Sequence, residues 1–120
     1  MPHLTVEYTS NLPTFDANDV LLALNKVLAS CGHFEDIDIK SRALRLDTHL
    51  VGLGQPCHGF VHAKLAILSG RSEDTKRALS DALLHALQAV GQWPADTDVQ
   101  LCVEVQEIER ASYAKVTVGA

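Results

Sequence analysis

The fold follows from the opening stretch, Met1-Pro2-His3-Leu4-Thr5-Val6-Glu7-Tyr8. Its leucine, valine and tyrosine alternate with His3, Thr5 and Glu7, which predicts a β-strand with one apolar face. A second alternating run, from Phe60 to Leu68, predicts a similar strand about 60 residues later. Each of these strands begins one half of the chain.

Both strands are followed by a helical pattern and then by another strand. The first helix is predicted from Ala17 to Cys31, with Asp16 as its N-cap, and a strand from Ile39 to Asp47 follows. The second helix is predicted between Ser72 and Gly91, and a strand from Asp98 to Gln106 follows. The chain therefore contains two β-α-β units.

Two such units predict an α+β fold with two layers. Parallel pairing and right-handed crossovers are expected within each unit. Joined, the units form a four-stranded mixed sheet with both helices on one face. A chain of 120 residues builds one core, so we expect a single domain over residues 1–120, with repeat units at about 2–47 and 60–106. The tail, residues 107–120, is expected to include a short strand from Tyr113 to Val118.

The second face of the predicted sheet is semi-polar, and two interpretations of it remain open. It carries Phe60, His62, Ala66 and Leu68 from the central strand. Such a face is typical of an oligomer interface. It is also compatible with a half-solvated sheet face that has scattered apolar residues.

The composition excludes several classes of function. A net charge of −5 and the lack of a basic block argue against nucleic-acid binding. No signal-peptide pattern or membrane-spanning apolar run is present, so we expect a cytoplasmic protein.

Cys31 and Cys102 fall in apolar patterns and are predicted to be core thiols. His58 and His62 lie about 13 Å apart on a strand, so no metal site is predicted, and no cofactor motif is present.

Pro2 is the candidate catalytic residue. Aminopeptidases remove an initiator methionine when the next residue is small, so we expect the mature protein to lack Met1. Removal turns the proline nitrogen into a free secondary amine. A nearby cation lowers the pKa of such an amine, and the neutral amine can then act as a general base.

Four cations are candidates for binding an anion. Arg71 lies at a predicted strand-to-helix corner, where a guanidinium can pair with a carboxylate through two hydrogen bonds. The alternative is a solvated arginine paired with Glu73 or Asp74. Lys40, Arg42 and Arg45 share one strand, but alternation separates Arg45 from the other two. By default these three are charges at a sheet edge.

Together these residues resemble the 5-carboxymethyl-2-hydroxymuconate isomerase family of the tautomerase superfamily. The resemblance covers about residues 1–110, and the tail matches poorly. The similar segments are Met1-Pro2-His3, Ser41-Arg42 followed by Asp47-Thr48, Phe60-Val61-His62 and Gly70-Arg71-Ser72.

The resemblance implies an isomerase that converts a carboxylated dienol to its keto isomer without a metal or another cofactor. It implies Pro2 as the general base, Arg71 as a ligand of a substrate carboxylate, and a homotrimer in which the open sheet faces pack together. A family arginine falls at Lys40, and Arg42 is an alternative donor. A related tautomerase with another enol substrate and a non-catalytic module with the same fold are the alternatives.

Overall fold

A computed structural model describes residues 1–119, and within them the chain forms four strands and two α-helices. The six helices and strands predicted before the tail are present, in the predicted order. The only changes of more than one residue are at β3, which begins at His58, and at β4, which continues to Ile108. The elements are β1 (His3–Thr9), α1 (Ala17–Ser30), β2 (Lys40–Leu46), β3 (His58–Leu68), α2 (Glu73–Val90) and β4 (Asp98–Ile108).

The four strands form one mixed sheet in the order β2-β1-β3-β4. Strand β1 pairs with β2 in parallel, and β3 pairs with β4 in parallel, whereas β1 and β3 are antiparallel. One face of the sheet packs against both helices. The buried core is drawn from that face and from the helices, and it includes Leu4, Val6, Val61, Leu65, Leu24, Leu28, Leu83 and Leu87. The predicted two-layer arrangement is confirmed.

The opposite face of the sheet, called the open face below, carries the residues that alternate with the core positions. On β3 these are Phe60, His62, Lys64, Ala66 and Leu68, all of them half-buried. Cys102 is exposed, so its prediction as a core thiol is wrong. The reason is register: Cys102 pairs with His62, so its side chain belongs to the open face, and β4 is an edge strand.

The tail lacks the strand that was predicted from Tyr113 to Val118. It forms a short 3₁₀-helix at Arg110–Ser112 instead. The Arg110 guanidinium donates to the Ser69 carbonyl from Nη2 (3.0 Å) and Nε (3.3 Å), which turns the chain away from the direction of β4. The tail then reaches β1, where the Tyr113 hydroxyl lies 3.0 Å from Nε2 of His3.

Neither helix in residues 1–119 has both the length and the apolar character that crossing a membrane requires.

Candidate active site

The amino terminus lies beside a cavity at one end of the sheet. Pro2 is fully buried, and its carbonyl accepts a hydrogen bond from the Lys40 amide (3.1 Å), which fixes the start of β1 against β2. Met1 is only half-buried, and it lines a cavity of about 360 Å³. The other lining residues come from the segment between α1 and β2, and they are Gly32, His33, Phe34, Glu35 and Asp38.

Arg71 is held against this cavity by two of its lining residues. Its Nη1 lies 3.1 Å from Nδ1 of His33, and its Nη2 donates to the His33 carbonyl (3.3 Å). The guanidinium carbon lies 5.1 Å from the centre of the Phe34 ring, a cation–π contact. None of the ion pairs found among residues 1–119 includes Arg71, so a pairing with Glu73 or Asp74 is not observed.

Two lysines also reach the amino terminus, and both contact Asp38. The Lys40 ammonium donates to the Asp38 carbonyl oxygen. The Lys115 ammonium, from the tail, donates to the Asp38 carboxylate over 3.0 Å and lies 3.8 Å from the Met1 sulfur. A segment that is remote in sequence therefore supplies one of the cations at the cavity.

These charges act on the terminal amino group, which in this structure is that of Met1. Its pKa is lowered chiefly by desolvation, and the positive charges of Lys40, Arg71 and Lys115 lower it further, whereas the Asp38 carboxylate opposes them. The pKa of Asp38 is itself lowered, first of all by the hydrogen bond from Lys115. The surroundings thus favour the neutral form of the Met1 amino group.

Arg42 lies outside the lining of this cavity. It is exposed, and its Nη2 lies 2.9 Å from Nδ1 of His3, while Nε2 of the same ring faces the Tyr113 hydroxyl. A guanidinium can only donate, so Nδ1 must be the unprotonated nitrogen of a neutral ring. The pKa of His3 is lowered by desolvation first, and then by the charges of Arg42 and Lys40.

Sequence reasoning missed the residues that join these cations to the cavity. The resemblance pointed to Arg71 and Lys40, but no motif assigned a binding role to His33, Phe34, Asp38 or Lys115. Gly32-His33-Phe34 and Asp38 recur in the second half as Gly91-Gln92-Trp93 and Asp98, and this repeat indicated the fold and not a site. For Lys115 there was no signal at all, because the course of the tail depends on the Arg110 contact with Ser69.

Within the part of the chain that the structure describes, no three His, Cys, Asp or Glu side chains converge to hold a metal ion. The three cysteines, Cys31, Cys57 and Cys102, are all free thiols. The cavity lies beside the partly desolvated amino group of Met1, with Lys40, Arg71 and Lys115 nearby and two carboxylates, those of Glu35 and Asp38, in its lining.

Comparison with known proteins identifies related isomerases. A family model described as 5-carboxymethyl-2-hydroxymuconate isomerase matches residues 2–118, so the expectation that the similarity ends near residue 110 is wrong. The 5-carboxymethyl-2-hydroxymuconate Delta-isomerase of Escherichia coli is 30% identical over 89 residues, which are 73% of this chain and 71% of that protein.

Solved structures share the fold. The crystal structure of a 5-carboxymethyl-2-hydroxymuconate isomerase from Deinococcus radiodurans R1 has a TM-score of 0.85 and 34% identity, over 98% of this chain and 90% of that one. A structure described as a fused 4-OT wild type symmetric trimer has a TM-score of 0.74 and 16% identity, over 94% of this chain and 90% of that one. The second similarity concerns the fold alone, and it is a tautomerase-like fold.

Proposed function

This chain belongs to the 5-carboxymethyl-2-hydroxymuconate isomerase family and is an isomerase, and we propose that it converts a carboxylated dienol to its keto isomer with Pro2 as the general base. The observation that carries the proposal is the amino terminus at the edge of a cavity, next to three cations. The name of the family's substrate describes a hydroxydiene with three carboxylates, and three cations, Lys40, Arg71 and Lys115, act on the amino terminus beside the cavity.

The proposed reaction is a proton transfer that needs no oxidant and no second substrate. Removal of Met1 exposes the Pro2 nitrogen, which takes the proton from the enol oxygen. The same nitrogen returns that proton to a carbon of the conjugated chain, so a C–H bond replaces the O–H bond. Negative charge spreads over the dienolate in between, and fixed cations stabilise that charge most when it is fully developed.

Arg71 is proposed to bind one substrate carboxylate. A guanidinium has five N–H donors, and His33 engages two of those of Arg71, so three remain. Three donors suffice for a bidentate pair. Lys40 is proposed to bind a second carboxylate as a point charge, without the planar fork of an arginine. Arg42 serves the substrate only if neighbouring subunits share the site, because its guanidinium contacts His3 and it is not among the cations that act on the terminal amino group.

A homotrimer is proposed from the open face and from one loop. The face carries half-buried Phe60 and Leu68, and in the loop between β2 and β3 the side chains of Leu50 and Leu53 are 69% and 100% exposed. Exposed apolar residues of this kind favour an interface between copies. Light scattering should return three times 13.0 kDa, and a monomer at micromolar concentration would contradict shared sites.

We also propose a cytoplasmic location, which suits three free thiols.

Two measurements test the function. Intact mass should show the loss of Met1; a mass equal to all 120 residues would remove the proposed base. Enol-to-ketone conversion should then be followed by ultraviolet absorbance over a panel of mono-, di- and tricarboxylate dienols. Pro2→Ala leaves a primary amine with more rotational freedom after Met1 is removed, so kcat should fall by about 10²–10⁴-fold. An unchanged kcat would refute the assignment of Pro2.

The same panel distinguishes a second candidate, a related tautomerase that acts on another enol. Lys40 favours it, because a family arginine is replaced there and a substrate with a different carboxylate pattern would suit a point charge. If a mono- or dicarboxylate dienol has the highest kcat/KM, this second candidate is correct.

A further inference from the structure

The segment after β4 crosses one end of the sheet and reaches the cavity. Arg110 fixes it to Ser69, at the corner that leads to Arg71. Tyr113 fixes it to β1 through His3, with the two rings 6.0 Å apart and an angle of 67° between their planes. Two separate anchors therefore determine where Lys115 lies. We call residues 109–119 the C-terminal segment.

Lys115 is placed at the rim of the cavity. Its Nζ lies 3.0 Å from Oδ1 of Asp38 and 3.8 Å from Sδ of Met1, and both of these residues line the cavity. The side chains of Lys115 and Asp38 are 35% and 28% exposed. The pair is thus less solvated than Arg45 with Asp47, whose side chains are 62% and 73% exposed.

An ammonium has three N–H donors, and Asp38 takes one of those of Lys115. A second donor faces the Met1 sulfur, which is a weak acceptor. Once Met1 is removed, an acceptor atom of a ligand can take the position of this sulfur next to the Lys115 ammonium. Asp38 itself shows that a carboxylate fits against this ammonium.

We propose that Lys115 binds one carboxylate of the substrate, so that the C-terminal segment determines the preference for tricarboxylate over dicarboxylate dienols. The proposal rests on the proposed function and deepens it. Three cations, Lys40, Arg71 and Lys115, act on the terminal amino group, and 5-carboxymethyl-2-hydroxymuconate carries three carboxylates. In the absence of substrate, Asp38 partners Lys115 and offsets part of the positive charge.

The test compares two dienols that differ by one carboxylate, 5-carboxymethyl-2-hydroxymuconate and 2-hydroxymuconate. Lys115→Ala removes a charge-assisted hydrogen bond, so KM for the tricarboxylate should rise by about 10- to 100-fold, with less than about a threefold change for the dicarboxylate. Lys115→Arg should recover most of the preference. Lys76→Ala is the matched control, because Lys76 pairs with Glu107 over 3.4 Å and is not among the cations that act on the amino terminus. It should change neither KM.

Asp38→Asn separates substrate binding from a purely structural role. If the Asp38–Lys115 pair only anchors the segment, both variants weaken the anchor, because asparagine offers an uncharged acceptor in place of the carboxylate, and each should raise the two KM values alike. If Lys115 binds substrate, Asp38→Asn keeps the cation and should keep the preference for three carboxylates. Equal effects of Lys115→Ala on the two dienols, or no effect on either, would overturn the proposal.

Binding is measured separately from turnover, so that failure of the proposed reaction is distinguishable. Titration calorimetry with propane-1,2,3-tricarboxylate and with glutarate uses ligands that do not isomerise. The wild-type chain should bind the tricarboxylate at least about tenfold more tightly, and Lys115→Ala should abolish the difference. If the wild type shows the binding preference but does not convert the dienols, the proposed substrate of the isomerase is refuted and the role of Lys115 is not. No preference in the wild type would refute the role of Lys115.

Discussion

Replacement of Arg71 tests the anion site most directly. In the free protein its guanidinium contacts Nδ1 and the carbonyl oxygen of His33 and lies over Phe34. These contacts orient the side chain before a ligand arrives, so little further ordering is needed on binding. Arg71→Ala removes the cation while leaving α2 capped by Ser72, whose hydroxyl accepts from the Thr75 amide (3.1 Å).

The size of the effect follows from the donors that remain. The three N–H groups not engaged by His33 can give a carboxylate two charge-assisted hydrogen bonds. Each is worth about 1.5–3 kcal/mol, and we take the lower value for both because the site is open to water. A total of about 3 kcal/mol corresponds to a loss of roughly 100-fold in kcat/KM. Arg71→Lys should recover only part of this, because a point charge replaces a planar fork.

The pH dependence supplies an independent readout. Arg71 lowers the pKa of the Met1 amino group, and we expect it to act in the same sense on the Pro2 amine once Met1 is removed, so its loss should raise that pKa. The base works only when unprotonated, and activity is lost as pH falls through its pKa. The acid limb of kcat/KM against pH should therefore move to higher pH in Arg71→Ala. Arg77→Ala, an exposed arginine on α2, is the control and should move neither KM nor the limb. If Arg71→Ala leaves both unchanged, Arg71 is not part of the site.

Three other outcomes are expected. In steady-state assays, Lys40→Ala should raise KM for carboxylated dienols about tenfold, whereas Lys40→Arg keeps the positive charge and should keep KM near the wild-type value. Gly59→Ala should destabilise the fold by about 1–3 kcal/mol in urea titration, because an added Cβ would lie 2.7 Å from the Thr9 hydroxyl oxygen. His3→Asn should make the Tm less dependent on pH between pH 7.5 and 5. The pKa of His3 is lowered in the folded protein, so the wild type loses stability as pH falls through the unfolded-state pKa of about 6.5. Asparagine keeps an acceptor for Arg42 and does not titrate.

The fold could be predicted because the patterns that define its strands and helices lie within short stretches of the sequence. Alternation in residues 3–8 and 60–68 defines two strands, and helical spacing with the caps Asp16 and Ser72 defines both helices. The same local reasoning explains the errors. Cys102 was assigned to the core because its neighbours are apolar, although alternation with Val99, Leu101 and Val103 places its side chain on the open face, where it is exposed.

The sequence pointed to only some residues of the candidate site. Pro2 and Arg71 were found because they lie at the ends of predicted elements, where the chain direction is known. Asp38 and Lys115 were missed because 77 positions separate them and no periodic pattern links them. Their contact depends on the path of the C-terminal segment, which is set by the hydrogen bonds of Arg110 to Ser69.

The distribution of charge explains why an anion should be the ligand. The chain has a net charge of −5 and only ten lysines and arginines, yet three of these act on one amino group. Cations placed together repel one another, and in the free protein one carboxylate, Asp38, opposes their effect on the amine. A bound carboxylate relieves that repulsion, and the same cations keep the amine neutral enough to accept a proton. Binding and proton transfer therefore depend on one set of charges, so a variant that weakens the first should also alter the pH dependence of the second.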